Sequence, residues 1–247
     1  MENRETKNMS LSAGENNALF SIAPADSKQA LQSPSKDSGG FSVSKPTIRL
    51  FNLDCMTAMA SMPDKAFDLA IVDPEFGISI GRSARLVTDK GLPAKAWDDK
   101  PISPDYFNEL FRVSQNQIIW GGNYYNLPPS KHCIIWDKIQ PEGLSFGMFD
   151  FAWTSFNTAN KIFRRSTSSD NGRIHPTQKP VRLYEWLLKN YAKPGDKILD
   201  THCGSGSILI ACDIMGFSID AYETDADYFK AAKDRLERHQ RQETLDL

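Results

Sequence analysis

The sequence predicts an α/β fold: a Rossmann-like, mostly parallel sheet with an antiparallel edge. Two observations carry this. Lys197-Ile198-Leu199-Asp200 is a short apolar strand that runs into a glycine turn, Thr201 to Ser207, and then into an apolar helical stretch, Ile208 to Cys212; a second strand, Phe217 to Tyr222, ends on Glu223. Strand, glycine turn, helix, strand and acid is how such a sheet holds a nucleoside-bearing ligand. Independently, Phe67-Asp68-Leu69-Ala70-Ile71-Val72 is the kind of apolar run that parallel sheets bury on both faces, and it stops at Asp73-Pro74-Glu75-Phe76-Gly77.

In chain order, residues 1 to about 45 are rich in Ser, Asn, Lys, Glu and Gly and read as a disordered tail, with at most a short helix around Asn17 to Ile22. Order is expected from a strand at Thr47 to Phe51, followed by Asp54 and a short helix from about Met56 to Met62. After the strand that ends at Val72, residues 78–100 form a long loop with scattered bases, among them Arg82, Arg85, Lys90 and Lys95. A helix from Pro104 to about Arg112 leads to a strand, Gln117 to Trp120, and then to Gly121-Gly122-Asn123. Another strand, Cys133 to Trp136, precedes an aromatic-rich hairpin or meander near 151–154 and 160–163. Thr177 is the expected N-cap of a helix running from about Pro180 to Tyr191, and a last helix spans about Asp225 to Gln240. Because ligands in open α/β sheets gather beyond the carboxyl ends of the strands, Asp54, Asp73, the 200–207 turn and Glu223 should share one edge.

Composition narrows the classes. At 247 residues the chain can build one large or two small domains, and no apolar run approaches the roughly 20 residues that span a membrane. The beginning of the chain lacks the basic-then-apolar pattern of a secretory signal, so a cytoplasmic location is expected. Cys55, Cys133, Cys203 and Cys212 are scattered, with no pairing pattern that suggests a disulfide framework or a zinc site, so no metal is expected. A net charge of −2 does not advertise nucleic-acid binding. Between residues 161 and 182, however, Lys161, Arg164, Arg165, Arg173, Lys179 and Arg182 face a single acid, Asp170, a run that is either a solvated surface or a nucleic-acid contact.

The glycine turn restricts the ligand. No lysine follows Gly206, against a mononucleotide P-loop, and a dinucleotide fold would want a third spaced glycine beyond Gly204 and Gly206. S-adenosylmethionine remains: its carboxylate could lie on the turn, and its ribose could meet Glu223, 17 residues after Gly206. A plain strand-to-helix turn beside a surface acid is the other reading of these residues.

Three segments occur in the order Asp73-Pro74-Glu75-Phe76, His175-Pro176-Thr177-Gln178-Lys179-Pro180 and Leu199-Asp200-Thr201-His202-Cys203-Gly204-Ser205-Gly206-Ser207. Together they resemble the amino-group DNA methyltransferases of the permuted (β) arrangement, in which the catalytic tetrad precedes the glycine loop. Trp120-Gly121-Gly122-Asn123 and Trp136-Asp137-Lys138 resemble short phage and prophage members, and the likeness covers about residues 47 to 240. The resemblance implies an S-adenosylmethionine-dependent methyltransferase fold with circularly permuted motifs over 46–247, and target-recognition insertions at about 78–100 and 139–173. It implies methyl transfer to adenine N6 in double-stranded DNA, on a base taken out of the duplex. Catalysis would fall to Asp73, the Pro74 carbonyl and Phe76 as a stacking platform. Asp54, Asp73, His175, Thr177, Lys179, Asp200, Gly204, Gly206, Ser207 and Glu223 would surround the cofactor. Arg82, Arg85, Lys161, Arg164, Arg165 and Arg173 would face DNA. Cytosine N4 or RNA as target, or a weakened binding relic, are the alternatives, and a homodimer and a restriction endonuclease are open as further partners.

The chain departs from the family pattern at several positions. Glu75 replaces the second proline of the tetrad, Phe76 its tyrosine, and Thr201-His202-Cys203 stands where Pro-Phe-Ala is usual. Phe76 keeps a stacking face and Pro74 keeps the acceptor carbonyl. Glu75 is expected to point away from the site, since an inward carboxylate would perturb Asp73.

Overall fold

The computed structural model describes residues 19–21, 46–83, 94–143, 147–167 and 173–245; at 19–21 and 243–245 only the backbone is described. In chain order the elements are β1 (Leu19–Ser21), β2 (Ile48–Phe51), α1 (Cys55–Met59), β3 (Phe67–Val72), α2 (Pro104–Val113), β4 (Ser114–Trp120), β5 (Cys133–Asp137), β6 (Phe149–Thr154), β7 (Lys161–Arg164), α3 (Val181–Tyr191), β8 (Lys197–Asp200), α4 (Ser207–Met215), β9 (Ser218–Tyr222) and α5 (Ala226–Leu245). The described strands form one nine-stranded sheet in the order β1-β2-β9-β8-β3-β4-β6-β5-β7. Only β1 and β6 run against the rest.

Period-2 alternation splits the core into two layers. Leu69 and Ile71 of β3 face one side, packed with Leu183 and Leu187 of α3, Ile208 and Leu209 of α4, and Ala232 and Leu236 of α5. Ala70 and Val72 face the other side, with Met59 of α1 and Tyr106, Phe107, Leu110 and Val113 of α2. Each fully buried leucine of this kind contributes about 2 kcal/mol. The chain leaves β8 for α4 on the first face and leaves β3 for α2 on the second. These two strands are neighbours, Leu69 opposite Ile198 and Ala70 opposite Leu199. Their outgoing loops therefore diverge and open a crevice at the point where the strand order reverses.

Several expectations need correction. Leu19–Ser21, which the composition places in a disordered tail or a short helix, is a strand antiparallel to β2. The 149–154 and 161–164 strands do not pair as a hairpin; each pairs with β5, on opposite sides. Both have an exposed or half-exposed face, so their aromatic content alone does not choose a partner. Thr177 does not cap α3, whose N-cap is Pro180. Among the described residues, no helix is long and apolar enough to cross a membrane.

Candidate active site

The crevice between the β3 and β8 loops is lined by Asp54, Asp73, Glu75, His175, Thr177, Lys179, His202, Gly204 and Glu223, among others, and holds about 960 Å³ of empty space counting the solvent at its mouth. Asp73, at the carboxyl end of β3, is the centre of its charge. Asp73 Oδ2 takes an ion pair from Lys179 Nζ. The lysine side chain is only 4% exposed and lies over the Trp120 ring at 5.1 Å. The other carboxylate oxygen, Oδ1, is buried and has no hydrogen-bond partner among the described residues. Burial raises the Asp73 carboxyl above its ordinary pKa, and Lys179 opposes that rise.

The segment after Asp73 is held by groups that no sequence motif marks. Asp98, 1% exposed, accepts the backbone N–H groups of Phe76 (2.7 Å), Gly77 (2.9 Å), Ile78 (3.3 Å) and Ile80 (3.0 Å). The Tyr125 hydroxyl donates to the carbonyls of Pro74 (2.9 Å) and Glu75 (3.2 Å). Phe76 stacks on half-exposed Tyr124, with ring centroids 4.8 Å apart and planes 8° from parallel. A Cβ on Gly121 would sit 2.1 Å from the Phe76 ring, and Gly121 has φ +68, so the glycine after Trp120 is what lets the ring seat there. Tyr124 thus covers one face of the ring expected to serve as a stacking platform.

The glycine turn closes on itself. Gly204 and Gly206 take φ +52 and +70. The Gly204 N–H donates to Glu223 Oε2 and the Asp225 N–H to Glu223 Oε1, both at 2.8 Å. Burial raises the Glu223 pKa, and these two amides pull against it. Asp54 Oδ1 caps α1 through Thr57 N at 2.8 Å. His175 lies edge-on to Tyr228 at 4.3 Å and accepts at Nδ1 from the Thr177 backbone N–H at 3.3 Å. Burial and the nearby Lys179 lower the His175 pKa to about 3, so its ring is neutral.

Asp200, Gly206 and Ser207 stand behind the crevice wall rather than on it. Ser207 is 2% exposed and accepts from Arg235 of α5 at 2.8 Å. Asp200, also 2% exposed, accepts the His202 N–H at 2.9 Å. Burial pushes the Asp200 carboxyl up to about 7. Lys179, expected over the cofactor, lines the crevice and pairs there with Asp73.

The expected DNA contacts divide. Arg164 sits at the carboxyl end of β7, on the crevice edge of the sheet, 3.3 Å from Asp137. Arg82 pairs with Asp99 at 2.5 Å. Lys161 starts β7, toward the opposite edge, and donates to Asn190 at 2.7 Å, so its place argues against a role at the crevice. Arg173 donates to the Pro176 carbonyl at 3.3 Å. Arg165 follows β7, and its backbone carbonyl accepts from Trp136 Nε1 at 2.9 Å. Arg85 lies outside the described residues. Lys95, from the long basic loop, is committed to Asp225 at 2.6 Å, straddling the start of α5.

Glu75 does not point away: it lines the crevice, with Oε2 3.3 Å from His202 Nε2. The expected orientation assumed that an inward carboxylate would be uncompensated, and His202 supplies the compensation.

The sequence profile of a DNA methylase family, N6_N4_Mtase, matches residues 68–234, from β3 into α5. The chain belongs to this family. Within the DNA methylases it is 38% identical over 159 residues to Type II methyltransferase M2.DpnII of Streptococcus pneumoniae, covering 64% of this chain and 56% of that protein. A shorter stretch of 67 residues is 36% identical to Type II methyltransferase M.HpaI of Haemophilus parainfluenzae, covering 27% of this chain and 21% of that protein. The alignments therefore span about half, or less, of these relatives' lengths. The crystal structure of an M1.HpyAVI–SAM complex superposes with a TM-score of 0.53 at 18% identity, over 76% of this chain and 100% of that one. The cytosine-N4-specific PvuII DNA methyltransferase gives 0.55 at 13% identity, over 77% and 88%. At these identities the two structures show a common fold, and the DNA methylase assignment rests on the profile.

Proposed function

We propose that this chain transfers a methyl group from S-adenosylmethionine to the exocyclic N6 amine of adenine in double-stranded DNA. The observation that carries the reading is the division of labour on Asp73: one oxygen is clamped by Lys179, while the other is buried, without a partner among the described residues, in the crevice that Gly204 and Glu223 also line. A buried acceptor left unmatched costs about 1–3 kcal/mol, so the site is built for a donor that arrives with the substrate.

The residues present fit the cofactor. Each Glu223 oxygen accepts one backbone amide and keeps acceptor capacity for ribose hydroxyls. Asp54 Oδ2, the oxygen not used to cap α1, can accept from the adenine amino group of the cofactor. When bound, S-adenosylmethionine supplies an electrophilic methyl group on a sulfonium. The rest of the chemistry belongs to the chain. Adenine's amine is a poor nucleophile because its lone pair is delocalised into the ring. Asp73 Oδ1 accepts one of its hydrogens and the Pro74 carbonyl, which retains a lone pair beside the Tyr125 hydroxyl, accepts the other. The nitrogen lone pair is thereby turned towards the methyl. Lys179 favours the ionised form of Asp73 against its burial. Orientation and electrostatics do the work, with no covalent enzyme intermediate. Reaching the amine requires the base to leave the duplex and stack on the Phe76 platform, which displaces or extends the Tyr124 stack. Asp, rather than Ser, at the head of the tetrad supports adenine over cytosine.

Incubating unmethylated duplex DNA with labelled S-adenosylmethionine, then digesting it to nucleosides, tests this. N6-methyladenine is the expected product. N4-methylcytosine would contradict the choice of base, and no incorporation would contradict the activity.

A further inference from the structure

Two of the positions where this chain departs from the family pattern lie against each other. Glu75 leaves β3 in the tetrad, His202 leaves β8 in the glycine turn, and their side chains meet at 3.3 Å with 24% and 14% of their surface exposed. We propose that Glu75 and His202 are a matched pair of positioning residues: a partly buried ion-pair clasp that fixes the tetrad against the cofactor turn and so sets the gap across which the methyl passes.

Both halves are tied into their surroundings. The Glu75 carbonyl accepts from Ile102 N at 3.1 Å and from the Tyr125 hydroxyl, so its backbone cannot drift from the tetrad's. On the other side, His202 Nδ1 lies 2.9 Å from Thr201 Oγ1, which in turn lies 2.6 Å from the hydroxyl of fully buried Tyr106. With Nδ1 engaged by Thr201, Nε2 is the nitrogen left to face Glu75. The titratable and charged groups that face the ring are Glu75 and Asp73 from the β3 loop, Cys55 of α1, Tyr106 of α2, Asp200 of β8 and Glu223 after β9. Acids dominate that shell. Burial opposes a charge on the ring, but Glu75 and Cys55 hold the His202 pKa well above its ordinary value. Burial likewise would raise Glu75, and His202 holds it below. Removing one partner strands the other's charge in a buried site, whereas removing both does not.

This inference rests on the proposed methyl transfer, so the test has one arm that does not. In the first, NMR of the His202 ring at pH 7 reads the pair directly. An imidazolium in the natural chain that becomes neutral in Glu75→Gln is expected, and a neutral ring in the natural chain overturns the clasp whatever the activity. In the second, kcat and KM are measured for Glu75→Gln, His202→Gln and the double variant. Each single change should lower kcat about tenfold or more while KM for DNA stays within about twofold, and the double variant should be no worse than the poorer single. Singles within twofold of the natural chain, or losses that multiply in the double, overturn the proposal. Glu75→Pro together with His202→Phe restores the family pattern and guards against variants that fail to fold. It should exceed Glu75→Pro alone in kcat, and equality of the two would again overturn it. An inactive natural chain with a charged His202 would sink the methyl-transfer reading and leave the clasp standing.

Discussion

Lys179 illustrates how far a single side chain controls the site. Its ammonium is the main force opposing the burial-driven rise of the Asp73 pKa. Lys179→Met should therefore cut kcat about 100-fold or more and move the acidic limb of the pH–rate profile to higher pH, since Asp73 then ionises later. An unmoved limb would show that the lysine acts elsewhere. Asp200 makes a prediction of the opposite kind. Its folded pKa, about 7, lies above the 3.8 of an ordinary carboxyl, so the folded state holds a proton that the unfolded chain has lost. Stability contributed by this group is present below pH 4 and lost as pH rises towards 7, by up to ~4 kcal/mol. Melting temperatures of Asp200→Asn should match the natural chain near pH 4 and exceed it at pH 8. At this scale the sequence marks Asp73, Glu223 and Asp54 because motif and strand end coincide. It does not mark Asp98 or the Lys95–Asp225 pair, since what defines them is the backbone or charge they meet after a long loop has folded back.

Among the elements, the loop after β3 depends most on tertiary support. Four N–H groups converge on Asp98, and Asp98→Ala leaves them to compete for water, costing about 3 kcal/mol. Because these amides fix Phe76 and Gly77, kcat should fall more than the affinity for S-adenosylmethionine does. Chemical denaturation and calorimetry on one preparation separate the two effects. The Gly121-Gly122 pair is legible in the sequence as a motif, and the structure supplies the reason, a Phe76 ring that tolerates no Cβ at 121. Gly121→Ala should therefore displace Phe76 and lose activity while the sheet stays intact. Burial on both faces made β3 and β8 legible from their apolar runs. β6 and β7 were harder, because half-exposed strands with aromatic residues on them can pair on either side.

For the whole molecule, the decisive feature is the reversal of strand order between β3 and β8, which brings segments more than 120 residues apart to one crevice. Neither loop alone makes a site. The order of motifs in the sequence implied a shared edge, but the ion pairs across it, Lys179 to Asp73 and His202 to Glu75, come only from folding. In the proposed reaction this crevice brings an amine held by Asp73 to a methyl held near the glycine turn. The measurement that addresses it most directly is single-turnover methyl transfer to DNA by the natural chain and by Asp73→Ala, with S-adenosylmethionine affinity measured alongside. Asp73→Ala should lose about 1,000-fold or more in rate while the cofactor Kd stays within about tenfold. A variant that still transfers at a tenth of the natural rate, or whose loss is fully explained by weaker cofactor binding, would contradict it.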